Sequence, residues 1–402
     1  MAKLAQRLNP ALIRRLNVAH VFHTLRTGGP ASQTELVRST GLDQATVSAI
    51  ARHLRDEGLV TTTRQPSRGR AGRPPTQLAI DAAAGVLVGA RVEPGAVRVL
   101  ITTLVGEPRT TWQGQAGPSV DDVLSALADG VEAALADVGV GWDAVRGLGV
   151  GVPALMATDG RVAYGPNLGW RDVPLQRRLA ERWSVPVAVD NDTSAAALAE
   201  KLFGVARDAR DFVVIAGHSG IGGALYLGGR LYRGRGGFAG EIGHVRVVDG
   251  GRRCGCGDLG CLEAYLAEDA LASRLAECGL DLRSYQAIGA AAAAGDASVL
   301  ELLDETGRLL GAVIADLVDV LDPELVVLAG ALSHVVPWLL PALERTLAAE
   351  ALGAYRARCR VLASHFGPEA VTMGGVGLAM ETALSLPGWL LDQDAALATH
   401  AG

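Results

Sequence analysis

Aromatic residues make up only 4% of this 402-residue chain, and it has five cysteines. It also lacks any uninterrupted apolar run of the ~20 residues that a membrane-spanning helix needs. The longest candidate, Ala287 to Gly295, is mostly alanine and glycine and is far too short. The first seventeen residues carry Lys3, Arg7, Arg14 and Arg15 without a continuous apolar core, so no secretory leader is expected. Three of the cysteines crowd into one short stretch, and the remaining two, Cys278 and Cys359, cannot frame a disulfide scaffold. A reducing cytoplasm is the expected compartment, and a membrane is not an expected partner.

The chain does carry an uneven distribution of charge. Its net charge is −6, yet residues 1–80 hold twelve basic residues against four acidic ones, a net +8 that leaves −14 for residues 81–402. A basic head on an acidic body points to a polyanion as the partner of the head alone. In that head, Val18, Val21, Phe22 and Leu25 have the spacing of one helix face, which predicts a helix over 17–27 ended by Gly28-Gly29-Pro30. Ser32-Gln33-Thr34-Glu35 is a capping box and starts a second helix. After Gly41-Leu42, Asp43 is a candidate N-cap for a third, with Val47, Ile50 and Leu54 inward and Gln44, Ser48, Arg52 and Arg55 outward. Two short helices about a glycine turn match helix-turn-helix geometry, whose second helix enters the major groove. Two strands, Leu59–Thr63 and Gln77–Ile80, then flank an Arg/Gly/Pro segment suited to a narrow minor groove or a run of phosphates. Residues 1–80 are therefore read as a winged helix-turn-helix that binds operator DNA, with Gln44, Thr46, Ser48, Arg52, Arg70 and Arg73 as candidate contacts.

In residues 81–402, one order of elements is expected twice: hairpin, glycine-rich turn, helix, strand. The first copy uses Val86–Ala90, Val97–Leu104, a helix from Val120 to Val138, and strands Gly147–Val152 and Val185–Val189. The second uses Phe212–Ala216, Gly222–Leu227 and Leu325–Leu328. A duplicated α/β body with a cleft between two lobes follows, since ligands collect at the carboxyl ends of strands. Residues 241–263 read EIGHVRVVDGGRRCGCGDLGCLE. Cys254, Cys256 and Cys261, with His244 ten positions ahead of the first, supply the four N/S donors of a tetrahedral Zn²⁺ site, and glycine permits the tight turns between them.

These residues resemble the ROK family of repressors, open reading frames and sugar kinases. The resemblance covers nearly the whole chain. It includes Pro166-Asn167-Leu-Gly-Trp170, Val189-Asp-Asn191-Asp192 with Ala195–Ala197 and Glu200, and Gly236-Gly-Phe-Ala-Gly-Glu241-Ile-Gly-His244. It closes with Cys254-Gly-Cys256-Gly-Asp-Leu-Gly-Cys261-Leu-Glu263. The head and its Gly-Arg-Pro wing are further similar to the sugar-responsive repressor branch, the xylose and N-acetylglucosamine repressors. The resemblance implies an α/β, two-lobed actin-like ATPase (ribonuclease-H-like) body behind the winged helix-turn-helix. It places one structural Zn²⁺ on His244, Cys254, Cys256 and Cys261, and sugar hydroxyls on Asn167, Asn191, Asp192, Glu241, His244 and Glu263. It also implies a homodimer or higher homo-oligomer.

A kinase of that family needs a general base, which Asp192 supplies, and a phosphate loop reading Asp-x-Gly-Gly-Thr-Lys. The matching stretch here is Arg91-Val-Glu93-Pro94-Gly95-Ala96. Arginine replaces the acid that would organise Mg²⁺, and Pro94 has no N–H to offer a phosphate. His218 and Ala224 depart from the second loop, and Ala329-Gly330-Ala331 has lost glycines. The expectation is a sugar-responsive DNA-binding repressor of carbohydrate genes that neither binds ATP nor acts as an enzyme. The alternatives are an ATP-dependent sugar kinase carrying a DNA-binding head, and a DNA-binding protein whose body answers to a partner protein.

Overall fold

The computed structural model of the protein describes residues 10–64, 76–218, 220–353 and 358–383. Arg70 and Arg73 fall outside the described residues.

Helix α1 (Pro10–Gly28) starts earlier than the 17–27 apolar spacing indicates. Pro10 opens it, a position where a missing N–H costs nothing. A two-residue strand β1 (Ala31–Ser32) leads into α2 (Gln33–Thr40). The capping box of α2 is formed: Glu35 N donates to Ser32 Oγ at 3.3 Å, and Ser32 N donates to Glu35 Oε2 at 2.7 Å. Gly41 closes α2 at φ 69°, a conformation that favours glycine. Thr46 N donates to Asp43 Oδ1 at 2.8 Å and so starts α3 (Gln44–Asp56). Strands β2 (Val60–Arg64) and β3 (Thr76–Ile80) pair antiparallel, and β1 joins the outer side of β3. Val21, Phe22, Leu25, Leu36, Val47, Ile50, Leu54, Val60 and Leu78 form the buried side of this head.

The body begins with an antiparallel meander, β4 (Val86–Glu93), β5 (Ala96–Thr103) and β6 (Pro108–Gln115). Strand β6 lies beyond the hairpin expected from sequence. Its PRTTWQGQ pattern is an edge strand with no fully buried position, so its apolar signal is weak. After α4 (Val120–Asp137), strand β7 (Val145–Val152) lies parallel to β4. A small sheet follows, β8 (Leu155–Met156), β9 (Val162–Gly165) and β10 (Trp170–Val173), then α5 (Leu175–Arg182). Strand β11 (Val187–Asn191) runs parallel to β7 and passes directly into α6 (Asp192–Leu202). The first large sheet has the order β11-β7-β4-β5-β6.

The second half repeats the plan. Strands β12 (Phe212–Gly217), β13 (Ile221–Leu227) and β14 (Arg230–Tyr232) form a meander. Helices α7 (Glu263–Leu266), α8 (Glu268–Glu277), α9 (Tyr285–Ala293) and α10 (Ala297–Leu321) precede β15 (Leu325–Gly330). Helix α11 (Val336–Glu350), β16 (Arg360–Ala363) and α12 (Ala370–Ala383) complete it. The order β14-β13-β12-β15-β16 is that of the first sheet read from the opposite edge. The duplication expected from sequence is present.

Helices α6 and α12 fill the space between the two sheets, and glycine lets them approach. A Cβ on Gly374 of α12 would stand 2.0 Å from the Ala195 carbonyl oxygen of α6. A Cβ on Gly149 of β7 would stand 2.0 Å from the Gly375 oxygen. Neither neighbour is a flexible side chain that can swing away. Gly374→Ala is therefore expected to lower stability by about 1–3 kcal/mol, the usual cost of an overpacked core. Gly28→Ala, where a Cβ meets nothing within 4 Å, should hold or slightly raise it. Denaturant unfolding of both variants checks this, and an unaltered Gly374→Ala midpoint would count against the close approach.

Candidate functional site

The carboxyl end of β11 and the start of α6 deliver the first two candidate residues. Asn191 is the N-cap of α6: its Oδ1 accepts Thr193 N at 2.9 Å and Ser194 N at 3.1 Å. Asp192 opens the helix, with Oδ1 accepting from its neighbour Thr193 through the backbone N at 2.8 Å and the hydroxyl at 3.4 Å. Asn191 Nδ2 donates to the Ala154 carbonyl at 3.1 Å, which ties the cap to the start of the small β8–β10 sheet. Asn167 lies in the exposed turn Pro166–Leu168 between β9 and β10. This sheet touches the loop ahead of Glu241, since a Cβ on Gly237 would stand 2.3 Å from the Met156 oxygen.

From the second lobe come Glu241, His244 and Glu263. Glu263 is fixed at both oxygens: Oε2 accepts Ile221 N at 2.9 Å, and Oε1 accepts the Cys254 thiol at 3.4 Å. His244 Nε2 lies 3.9 Å from Glu241 Oε2. Burial raises the pKa of Glu241, the neighbouring His244 opposes this, and the charges of Asp192 and Glu263 add to the rise. Burial likewise raises Asp192. Three acids thus share one patch across the interlobe cleft, and a cross-lobe ion pair, Arg233 with Asp190, stands beside them.

On its other side His244 faces the cysteines. The donor atoms of His244, Cys254, Cys256 and Cys261 all lie within 4.8 Å of one another. Cys256 Sγ is 3.8 Å from Cys261 Sγ, and Cys254 Sγ is 3.7 Å from His244 Nδ1. Tetrahedral zinc, with Zn–S bonds of ~2.3 Å and Zn–N of ~2.0 Å, sets S···S edges of ~3.8 Å and S···N edges of ~3.5 Å. The four residues fit such an ion.

The degenerate phosphate loop has a definite structure. Arg91, near the carboxyl end of β4, pairs with Glu93 and donates to the Pro368 carbonyl at 3.1 Å. It also meets His218 Nδ1, from the β12–β13 turn of the other lobe, at 3.1 Å. Burial, then the Arg91 charge, push the His218 pKa down to about 3, so the ring is neutral. Because Nδ1 accepts from Arg91, the ring proton sits on Nε2, which is buried without a partner. Sequence reading marked Arg91 and His218 as two separate departures; their contact across the cleft required coordinates.

On the head, Gln44 and Arg52 are exposed on α3, and Ser48 is half-buried. Gln44 Nε2 reaches Ser48 Oγ at 3.3 Å and Gln33 Oε1 at 3.2 Å, and Ser48 Oγ donates to Gln33 at 2.8 Å. Gln33, on α2, is thus part of the polar face and escaped the sequence reading because a first-turn glutamine carries no distinctive signal. The Thr46 hydroxyl is held by Asp43 Oδ2 at 2.6 Å.

Comparison with known proteins places these features together elsewhere. The ROK family profile matches residues 96–382, and a MarR family profile matches residues 15–71. A putative xylose repressor of Caldicellulosiruptor sp. is 28% identical over 400 residues, covering 95% of this chain and all of the relative. The solved structure of a ROK family transcriptional regulator, a homolog of the E. coli MLC protein, superposes with a TM-score of 0.82 at 28% identity, over 95% of this chain and 98% of that one. A ROK family glucokinase from Streptomyces griseus, solved with glucose and AMPPNP, gives 0.66 at 28% identity, over 74% of this chain and all of its own.

The raised Asp192 pKa carries a sign that can be measured. A carboxyl whose folded pKa exceeds its unfolded value stabilises fully below the unfolded pKa and loses that contribution as pH rises through the folded value. Asp192→Asn is therefore expected to raise the melting temperature at about pH 7 and to leave it unchanged near pH 3.5, just below the ordinary carboxylate range. Thermal unfolding in both buffers checks it; a lower melting temperature at neutral pH would contradict the burial assignment.

Proposed function

The chain belongs to the ROK family, and from that premise we propose that it is a transcriptional repressor whose grip on operator DNA is set by a sugar in the interlobe cleft. One observation carries the reading: a single chain joins a capped helix-turn-helix to an acid-lined cleft whose phosphate-loop position is filled by Arg91, Glu93 and His218. The similarity to a putative xylose repressor and to a ROK regulator structure, each over 95% of this chain, supports it.

In this reading Asn167, Asn191, Asp192, Glu241, His244 and Glu263 receive the sugar hydroxyls. Carboxylates accept the stronger, charge-assisted hydrogen bonds, and neighbouring hydroxyls can be bridged by one acid. His244, Cys254, Cys256 and Cys261 would hold a structural Zn²⁺, whose charge would fix the imidazole through Nδ1. Nε2 of His244 then faces the sugar beside Glu241. Gln44, Ser48 and Arg52, with Thr46 at the helix start and Arg70 and Arg73 in the wing, contact operator DNA. A homodimer would place two heads on a two-fold-related operator.

A second reading, an ATP-dependent sugar kinase, has Asp192 and the glucokinase neighbour in its favour. Against it, Arg91 is committed to Glu93, His218 and a backbone carbonyl, and Pro94 offers no donor. Coupled-enzyme turnover with ATP and hexoses is expected at background; activity above it would favour the kinase.

The repressor reading is tested by operator binding in the presence of xylose, glucose and N-acetylglucosamine, where at least one sugar is expected to weaken binding about tenfold or more, a coupling in the ordinary allosteric range. Operator affinity indifferent to every sugar would oppose it. Cys256→Ser or a chelator is expected to abolish that response and lower the melting temperature. Intact sugar binding after metal loss would separate the metal from sensing.

A further inference from the structure

Helix α6 has one end in the cleft and the other against the DNA-binding head. Its first turn is capped by Asn191 and begins with Asp192. At its last turn, Arg26 of α1 donates from Nη1 to the Leu202 carbonyl at 2.8 Å, and its guanidinium lies over the Phe203 ring, 5.2 Å from the centroid. We propose that Arg26 is a positioning residue that carries the state of the cleft to the head through α6. This rests on the sugar-sensor reading above.

Four observations support the path. First, α6 can act as a rod. Thr193 and every residue from Ala195 to Leu202 are buried, and its eleven residues span about 16 Å at 1.5 Å per residue. Second, its far end is clamped. The Glu200 carboxylate accepts Val205 N at 2.9 Å, Ser364 Oγ at 2.5 Å and His365 N at 3.1 Å, so the helix end and the turn before α12 move together. Third, Ala199, Leu202 and Phe203 share one apolar cluster with Ala19, Phe22 and Leu25 of α1. The head and the end of α6 thus share one apolar cluster, and Arg26 makes the direct polar contact between them.

Fourth, Arg26 has few other places to go. Among the described residues no carboxylate pairs with it. Its other side-chain partner is His23 Nδ1 on its own helix at 3.2 Å, and its Nε is buried without a partner. Burial, and then the nearby Arg207 charge, lower the Arg26 pKa to about 10, so the guanidinium depends on the carbonyl end of α6 for compensation. Beside it a hollow of about 570 Å³ separates Gly29, Pro30 and Ile80 of the head from Val105 to Pro108 of the body. The Arg26 contact thus borders open space, which leaves the end of α1 room to shift. A small shift or rotation of α6, set at Asn191 and Asp192, would move the end of α1, and through Gly28-Gly29-Pro30 it would move α2 and α3.

The test uses the full-length, metal-loaded chain with Arg26→Gln and Arg26→Lys. For whichever of xylose, glucose and N-acetylglucosamine shifts the wild-type melting temperature, sugar affinity by calorimetry should stay within about threefold in both variants. The sugar-dependent change in operator Kd should shrink at least about fivefold in Arg26→Gln, the lower edge of ordinary allosteric coupling, and be partly kept in Arg26→Lys. A wild-type ratio in Arg26→Gln overturns the proposal. A wild-type protein whose operator binding ignores every bound sugar defeats the sensor reading instead, and a sugar-free measurement then decides the role of Arg26. Removing the α6 cap with Asn191→Ala should speed amide exchange across residues 16–28 when Arg26 is present and add nothing in the Arg26→Gln background. Unchanged exchange in the first case overturns the path.

Discussion

Everything in the body depends on two helices lying between two sheets at backbone distance. Helix α12 reaches β7 at backbone distance through Gly147, Gly149 and Gly375, and α6 meets α12 at Gly374 and Gly377, because these positions offer no side chains. Each lobe therefore rests on a helix that follows a strand of one sheet and packs between both. The consequence is a body without a soft middle. A displacement at one end of α6 has little slack to absorb it along its length, because the helix is buried from Ala195 to Leu202 and its start meets α12 at backbone distance.

That rigidity gives the cleft its electrostatic character. Asp192 enters at the start of α6, where the helix dipole favours a negative charge, yet burial outweighs the dipole and raises its pKa. Glu241 is raised for the same reason, and Glu263 is spared solitude by an amide and a thiol. Asp192 and Glu241, raised in this way, cost the fold stability once pH passes through their folded pKa values. The cysteine cluster stands immediately behind His244 and Glu263, so a cation there would act on the same wall.

Much of this was legible in the chain. The helix starts at Ser32 and Asp43 were readable because capping is a local hydrogen-bond pattern, and the doubled order of strands was readable because buried strands are apolar runs. Strand β6 was not, since an edge strand of Pro, Thr, Gln and Gly has little to bury. The short helix α5 carries three arginines and a glutamate in eight residues and gives little apolar signal. Within the site, residue types were readable but their pairing was not. Asn191 and Asp192 are both good caps, and only geometry shows that the asparagine reaches the amides. Arg26 offered no sequence signal at all, because its acceptor is a backbone carbonyl 176 positions away.

The Arg91–His218 contact shows how a phosphate-binding fold can hold its lobes together without a phosphate. Here one loop supplies a cation and the other a neutral imidazole acceptor, so the bridge consists of protein atoms alone. Glu93 then balances the guanidinium, and the Pro368 carbonyl just ahead of α12 takes another of its donors. Such a bridge cannot be released by hydrolysis and does not depend on nucleotide concentration. The two lobes are thus tied at these loops by protein groups, with Asp192 near enough for its charge to act on Arg91.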